Sequence, residues 1–265
     1  MNKFKIIHYV LCWNEMEILP FVVEYWKRYA TKVVVYDNGS TDGSVEFLKQ
    51  YDWIEVRSFD TNGKKDNDTQ ALIKNTCWKE SREEYDFVIV SDLDECLYFA
   101  NNCSVLDDMM QGGYDILGTP WYALCEDYKP KYEEGKLLHE QCSKFYKEKS
   151  NHVKRYEHLG KFILFNPKFI NDMNWSVGSH IANPAPSFKL FEANESQCFV
   201  IHINSGFGVD YKYARNKLQG AKLSEKNKKR GYSKQYLYDK NRVEMEYKQN
   251  QEISININDM KKGTE

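Results

Sequence analysis

Four short apolar runs alternate with amphipathic stretches in the N-terminal part of the chain, and that alternation leaves few architectures open. Lys5 to Cys12 reads as a strand, with Ile6, Ile7, Val10 and Leu11 apolar. Trp13-Asn14-Glu15 is expected to open a helix running to about Tyr29, because Ile18, Phe21, Val22, Tyr25 and Trp26 recur at helical spacing. Lys32 to Tyr36 is a Val-rich run of the kind buried on both faces. A polar turn from Asp37 to Ser44 follows, then a helix from Ser44 to Gln50 and a strand from Ile54 to Phe59. Gln70 to Glu84 reads as a helix and Phe87 to Ser91 as a fourth strand. The order β-α-β-α-β-α-β predicts right-handed crossovers and an α/β fold, with a mostly parallel, Rossmann-like central sheet flanked by helices.

The fourth run drives straight into Asp92-Leu93-Asp94-Glu95. A strand that ends in clustered carboxylates puts them at one edge of the sheet, where open α/β folds bind ligands. Carboxylates crowded like this repel one another and usually meet a divalent cation. Oxygen ligands suit Mg²⁺ or Mn²⁺ better than zinc. The plain alternative is a solvated acidic turn. Asp37-Asn38-Gly39-Ser40-Thr41-Asp42-Gly43-Ser44 also follows a buried strand, so it falls on the same edge. Asn38 and Gly39 permit a left-handed turn, and Ser40 or Thr41 can cap the next helix.

Composition narrows the class. The 265 residues are 42% hydrophobic and 15% aromatic, enough for a real core, and the net charge of −2 argues against nucleic acid as a partner. The seven cysteines are an odd number without a C-x-x-C pair, which fits a reducing cytosol better than a disulfide framework. No apolar stretch is long enough to cross a bilayer, and Met1 to Ile7 does not read as a signal peptide. The expectation is a cytoplasmic protein able to touch the inner face of the cell membrane.

Taken together, strand-Trp-Asn-Glu, the Asp37–Ser44 run and Asp92-Leu93-Asp94-Glu95-Cys96 resemble the nucleotide-diphospho-sugar glycosyltransferases of the GT-A fold. The Asp37–Ser44 run is similar to the signature of glycosyltransferase family 2. The Asp92–Cys96 stretch, with Gln70 upstream and Trp78 between, is similar to the family 92 pattern. The resemblance is clear from about residue 5 to residue 100. It implies a hexosyltransferase-type enzyme that moves a sugar from a nucleotide-sugar donor, a UDP-sugar first among them, to a glycan or lipid-linked glycan. Bacterial surface polysaccharide synthesis is the implied setting.

The resemblance also implies roles. Asp37 would bind the nucleobase, with Asn38 and Gly39 beside it. Cys12, Trp13, Asn14 and Glu15 would begin the nucleoside pocket. Lys65, Gln70 and Leu93 would border the donor. Asp92 would face the ribose or a metal-bound water, and Asp94 would hold Mn²⁺ or Mg²⁺ directly. Glu95 would order the metal shell or the acceptor. A third ligand is expected from His180, in a small-residue turn, ahead of His202, which lies in a strand-like run and fits a core histidine. Asp127, Glu126 and Glu192, in that order, are candidates for the base that takes the acceptor proton. A retaining enzyme would need none. Asn75 and Lys161 are further candidates for the donor pocket.

The second half is less regular. A strand is expected over Ile116 to Trp121 and Leu124, then a polar, mobile excursion from Lys129 to Arg155 that leaves His139, His152 and His158 solvated. Lys161 to Phe165 and Phe199 to Ile203 read as short strands. The transferase domain is placed at residues 1–208, divided near residue 100 into donor and acceptor halves, with 209–265 a basic helical extension weakly ordered after about Gln249. Lys212 to Arg230 is rich in Lys and Arg and could meet an anionic membrane. Two other functions fit parts of the pattern. One is a haloacid-dehalogenase-type phosphatase with Asp92 as nucleophile. The other is a non-catalytic module that only binds nucleotide-sugar or membrane.

Overall fold

The computed structural model describes residues 3–100, 103–148, 156 and 158–260. The first part alternates as β1 (Ile6–Cys12), α1 (Leu19–Tyr29), β2 (Lys32–Asp37), α2 (Ser44–Leu48), β3 (Ile54–Ser58), α3 (Asn67–Thr76) and β4 (Phe87–Asp92). It continues with β5 (Glu95–Phe99), α4 (Ser104–Gly112), β6 (Ile116–Gly118), β7 (Trp121–Leu124), α5 (Leu138–Gln141) and β8 (Phe145–Lys147). The rest comprises β9 (Leu164–Phe165), β10 (Leu190–Glu192), β11 (Cys198–His202), α6 (Val209–Ala221), α7 (Glu225–Arg230), α8 (Lys240–Glu252) and α9 (Ile257–Met260).

A seven-stranded sheet runs in the order β10-β6-β9-β4-β1-β2-β3. β1 pairs in parallel with both β2 and β4, and β2 with β3, while β9 lies antiparallel to β4 and β6. This is the mostly parallel α/β sheet that the alternation predicts. Both its faces are covered. Phe87 and Ile89 of β4 pack with Trp26 and Val33 on one side, whereas Val88 and Val90 pack with Trp78, Phe165 and Trp175 on the other. Burial on both faces is why these strands are apolar throughout rather than alternating.

The register aligns one edge of the sheet. Cys12 pairs with Asp37, Leu11 with Asp92, and Asp37 with Ser58, so the strand ends form one row. Chain order reverses between β1 and β4, which opens the crevice where such sheets take ligands. A second sheet, β5-β11-β7-β8, begins where the first ends. The chain leaves β4 at Asp92 and enters β5 at Glu95, so the acidic motif is the corner between the two sheets.

Several elements differ from the sequence expectation for local reasons. α1 starts at Leu19 rather than at Trp13. Asn14 has φ 53, and residues 14–16 are bonded to Ser40, Ser44 and Asp42, which hold them as a loop. Pro20 then sits in the first turn, its preferred helical place. α3 begins at Asn67, capped by Asp66, and gives way to a 3₁₀ turn over Cys77–Ser81. The strand expected over Ile116 to Leu124 is broken at Thr119-Pro120 into β6 and β7, one in each sheet.

The described part of the Lys129–Arg155 segment is not a mobile excursion. It supplies α5 and β8, and Leu137, Leu138, Cys142 and Phe145 are core residues. His139 is buried, its Nδ1 3.0 Å from the Tyr25 hydroxyl, and is not solvated. His152 lies outside the described residues, and His158 is exposed beside Glu192. The described residues after Gln249 are also tied down. Ile255 and Phe145 exchange backbone hydrogen bonds of 2.7 and 3.0 Å, and Ile257 is buried. Among the described residues no helix is long and apolar enough to cross a membrane.

Candidate active site

A cavity of about 480 Å³ opens at the crevice between β1 and β4. Its walls come from Cys12, Trp13 and Glu15 after β1, Lys65, Gln70 and Lys74 on and before α3, the Asp92-Leu93-Asp94 corner, and the Gly178-Ser179-His180 turn. α6 contributes Lys212, Arg215 and Asn216 from the far side. Seven lysines and arginines line it against five carboxylates, a balance suited to an anionic ligand. The volume lies within the range of small-ligand sites.

Asp92 is pinned rather than free. Lys74 Nζ donates to its Oδ1 at 2.6 Å and Lys161 Nζ to its Oδ2 at 3.0 Å. Burial alone would raise its pKa, but Lys161 and Lys74 outweigh that and hold it well below the usual carboxylate range. Glu95 is buried, bonded to Lys161, and its Oε2 accepts from the Asp92 backbone N–H at 2.8 Å. Glu95 therefore braces the corner from beneath, and Leu93 anchors it in the core at 3% exposure. Lys74 was missed from the sequence, although it sits one helical turn after Gln70 on the same face of α3.

Asp94 faces His202, at the end of β11. Its Oδ2 is 3.6 Å from His202 Nε2, while His202 Nδ1 is 2.8 Å from Glu148 Oε2. The ring is thus oriented by one carboxylate and turned toward another. Burial would lower the His202 pKa, but Glu148 and Asp94 raise it well above its ordinary value. His202 is accordingly no core histidine. His180 lines the same cavity, its pKa pushed down to about 4 by burial and by Lys161, and it is His202 that stands against Asp94.

These donors bear on a divalent cation. A separation of 3.6 Å is long for a hydrogen bond. Two adjacent ligands of an octahedral cation with bonds of about 2.1 Å stand about 3.0 Å apart, so the pair would close by about half an ångström to share one. A carboxylate behind a ligand histidine is the usual support of such a site. Mg²⁺ and Mn²⁺ commonly take one or two protein ligands and fill the rest with water and phosphate oxygens. Among the described residues no cluster of three or more His, Cys, Asp or Glu forms a protein-only cage. Asp94 and His202 fit the partial kind of site. Asp92 does not, because ammonium groups occupy both its oxygens.

The nucleoside end is built differently from expectation. Asp37 is 4% exposed and outside the cavity wall. Its Oδ2 accepts from the Gly39 and Ser40 backbone N–H groups at 2.9 Å each, and its Oδ1 from the Ser40 hydroxyl at 2.5 Å. The carboxylate thus holds its own turn, in which Gly39 has φ 72. Asn38 reaches the wall instead, bonded to Thr61. Asn14 stitches the two loops, its Oδ1 accepting from the Thr41 backbone at 2.8 Å. The Glu15 carboxylate is held by Arg215 at 2.6 and 2.7 Å. Lys222 Nζ lies 5.6 Å from the centre of the Trp13 ring. Lys65 Nζ meets Tyr236 and Gln219, and Lys212 Nζ the Asn204 carbonyl, so both keep their charge toward the cavity on neutral partners.

The three base candidates lie elsewhere. Glu126 is buried and accepts from the backbone of Ser143 and Lys144. Asp127 borders a separate pocket and pairs with Lys144 and Gln251. Glu192, on the edge strand β10, pairs with His158. Asn75 does not line the cavity either; its amide clamps the Trp175 backbone from both sides. Much of the basic stretch is engaged internally: Arg215 with Glu15, Lys226 and Arg230 with Asp68, and Lys228 with Glu225. Lys212 and Lys222 face the cavity.

Residues 10–258 match the family model of glycosyltransferase family 92. Among solved structures, the chain is similar to TarS of S. aureus at 14% identity, over 88% of this chain and 42% of that one, with a TM-score of 0.44. A 1–349 piece of S. aureus TarS in complex with UDP is similar at 12% identity, over 82% and 68% of the two chains, with a TM-score of 0.38. HddC from Yersinia pseudotuberculosis is similar at 11% identity, over 81% and 99%, with a TM-score of 0.41. The chain covers less than half of that TarS chain. No curated protein matches it in sequence.

Proposed function

Because the chain belongs to glycosyltransferase family 92, we propose that it takes its sugar from a nucleoside diphosphate-sugar, with uridine diphosphate as the carrier. The acceptor is a hydroxyl of a glycan or lipid-linked glycan. The observation that carries this proposal is the meeting of Asp94, His202 and a ring of lysines at the sheet crevice. In the reaction the bond from the anomeric carbon to the phosphate oxygen breaks, and the electron pair leaves with the nucleoside diphosphate. The acceptor oxygen bonds to the anomeric carbon and gives up its proton to the departing diphosphate or to solvent.

Asp94 and His202 are the residues that would hold Mn²⁺ or Mg²⁺. When bound, the cation would offset the diphosphate charge that grows as the leaving group departs. The chain's own groups act alongside. Lys65, Lys212 and Lys222 place positive charge on the cavity wall for the same phosphates. Lys74 and Lys161 fix Asp92, and with it the corner that carries Asp94. Glu148 keeps the His202 ring turned toward Asp94. The phosphatase alternative needs Asp92 as a free nucleophile, and two ammonium groups on its oxygens argue against that.

The test is direct. The protein is mixed with Mn²⁺ and UDP, GDP, CDP or ADP, and the shift in melting temperature is measured. Donor hydrolysis is followed with the matching nucleotide-sugars. UDP with Mn²⁺ is expected to raise the melting temperature, and Asp94→Ala and His202→Ala are expected to abolish the cation-dependent part. If no nucleoside diphosphate stabilises the protein and no nucleotide-sugar is hydrolysed, with or without the cation, the proposal is wrong.

A further inference from the structure

One polar group in the cavity has no partner. Among the described residues, several buried side-chain polar atoms lack a hydrogen bond, and of these the Ser179 hydroxyl is the one whose residue borders the cavity. Ser179 is 6% exposed. Burying a hydroxyl with nothing to bond is unfavourable, and native structures seldom leave one so. Because the residue borders the cavity, a turn of its side chain would bring the hydroxyl to a polar group of a ligand there.

The backbone presents it at a cost. Gly178 and Ser179 both lie in the left-handed region, with φ 78 and 57. A serine there is strained, and strain of this sort collects at ligand clamps. The turn is held from below. Asn75 Nδ2 donates to the Trp175 carbonyl at 3.1 Å, and Trp175 N–H donates to Asn75 Oδ1 at 2.9 Å. Ser176 N–H donates to the Ile181 carbonyl at 2.8 Å, and Ile181 N–H to Ser176 Oγ at 3.2 Å. Gly178 matters for space too, since a Cβ there would stand 2.9 Å from His180 Cδ2. The His180 ring therefore folds back beneath the turn and stays beside Ser179 on the wall. Burial and the nearby Lys161 keep that ring uncharged near neutral pH, and an uncharged imidazole both donates and accepts.

Charge on the wall is divided. Lys65, Lys212 and Lys222 come from other elements, and Lys161, near this turn, is engaged by Asp92 and Glu95, whereas the Val177–His180 turn itself offers only neutral groups, a hydroxyl and an imidazole. Such groups bond phosphate oxygens as well as sugar hydroxyls, and with the lysines of other elements serving the phosphates this turn is left for the sugar. We propose that this turn reads the hydroxyls of the transferred sugar, with the Ser179 hydroxyl as the contact and the His180 ring beside it. Ser179 is then a specificity residue for the donor, an assignment that rests on the donor reading above.

The experiment compares a donor with its sugar removed. Dissociation constants for UDP, UDP-glucose, UDP-galactose, UDP-N-acetylglucosamine and UDP-N-acetylgalactosamine are measured by calorimetry with Mn²⁺. The proteins are the wild type, Ser179→Ala and Ser179→Gly. Ser179→Ala should weaken the preferred UDP-sugar by about three- to tenfold, the worth of one neutral hydrogen bond, and leave UDP unchanged. Ser179→Gly tolerates the positive φ, so an equal loss there assigns the effect to the hydroxyl and not to the fold. Equal weakening of UDP and UDP-sugar, or no weakening of either, would overturn the proposal. A wild type that binds no nucleoside diphosphate would instead remove the donor reading itself, and this inference with it.

Discussion

His8 sits in the middle of β1 with both ring nitrogens engaged, Nε2 at 2.8 Å from the Ser91 hydroxyl and Nδ1 at 3.0 Å from that of Tyr29. Burial pushes its pKa down to about 3. The unfolded chain takes up this proton near pH 6.5, and the folded one does not until about pH 3. Stability is therefore full above pH 6.5 and is lost as the pH falls toward 3. By pH 5 the loss amounts to about 2 kcal/mol. Urea unfolding at pH 7.5 and pH 5 checks this: in His8→Asn the difference between the two should shrink by about 2 kcal/mol. An unchanged difference would place the acid sensitivity elsewhere. Residues of this type show the limit of the sequence. His8 and His139 look alike on the page to His180 and His202, and only packing separates a core histidine from one turned toward a carboxylate.

At the scale of elements, α6 closes the cavity because Arg215 grips Glu15 from across the chain. Both side chains are mostly buried, 18% and 13% exposed, so removing one strands the other. Arg215→Ala should cost about 3 kcal/mol, and the double variant with Glu15→Ala less than the sum of the two single changes. Additive losses in a denaturation cycle would show that the pair does not hold α6. Asn75→Ala should cost about 2 kcal/mol by freeing the Trp175 backbone, and should weaken a nucleotide-sugar more than the nucleotide alone. The parallel strands and the Asp92–Glu95 corner were legible in the sequence, because periodicity and local motifs are short-range signals. Glu148 and Arg215 were not. Their partners, His202 and Glu15, lie far along the chain, and nothing near residues 148 or 215 announces them.

The whole molecule is tied together by its cavity. Sheet edge, α3, the Val177–His180 turn and α6 each supply one wall, so a ligand there touches both the N-terminal and the C-terminal parts of the chain. A donor at a hundred times its dissociation constant should stabilise the folded state by about 2.7 kcal/mol. It should also slow proteolysis of the N-terminal and C-terminal parts together, as mass spectrometry of the fragments would show. Protection of the N-terminal part alone would mean that the C-terminal helices do not share the site.

The pair Asp94 and His202 depends on one ladder. β11 runs antiparallel to β5 with His202 opposite Glu95, and Ile203 N–H continues the ladder to the Asp94 carbonyl at 2.8 Å. Successive side chains of a strand point to opposite faces, so a slip of one residue would carry His202 to the other side of the sheet. The ladder acts as a reading frame for the site. The two side chains can be intact in a shifted sequence and still never meet. An insertion within Cys198–His202 would then part His202 from Asp94, whereas one in the loop before Cys198 would leave the frame untouched.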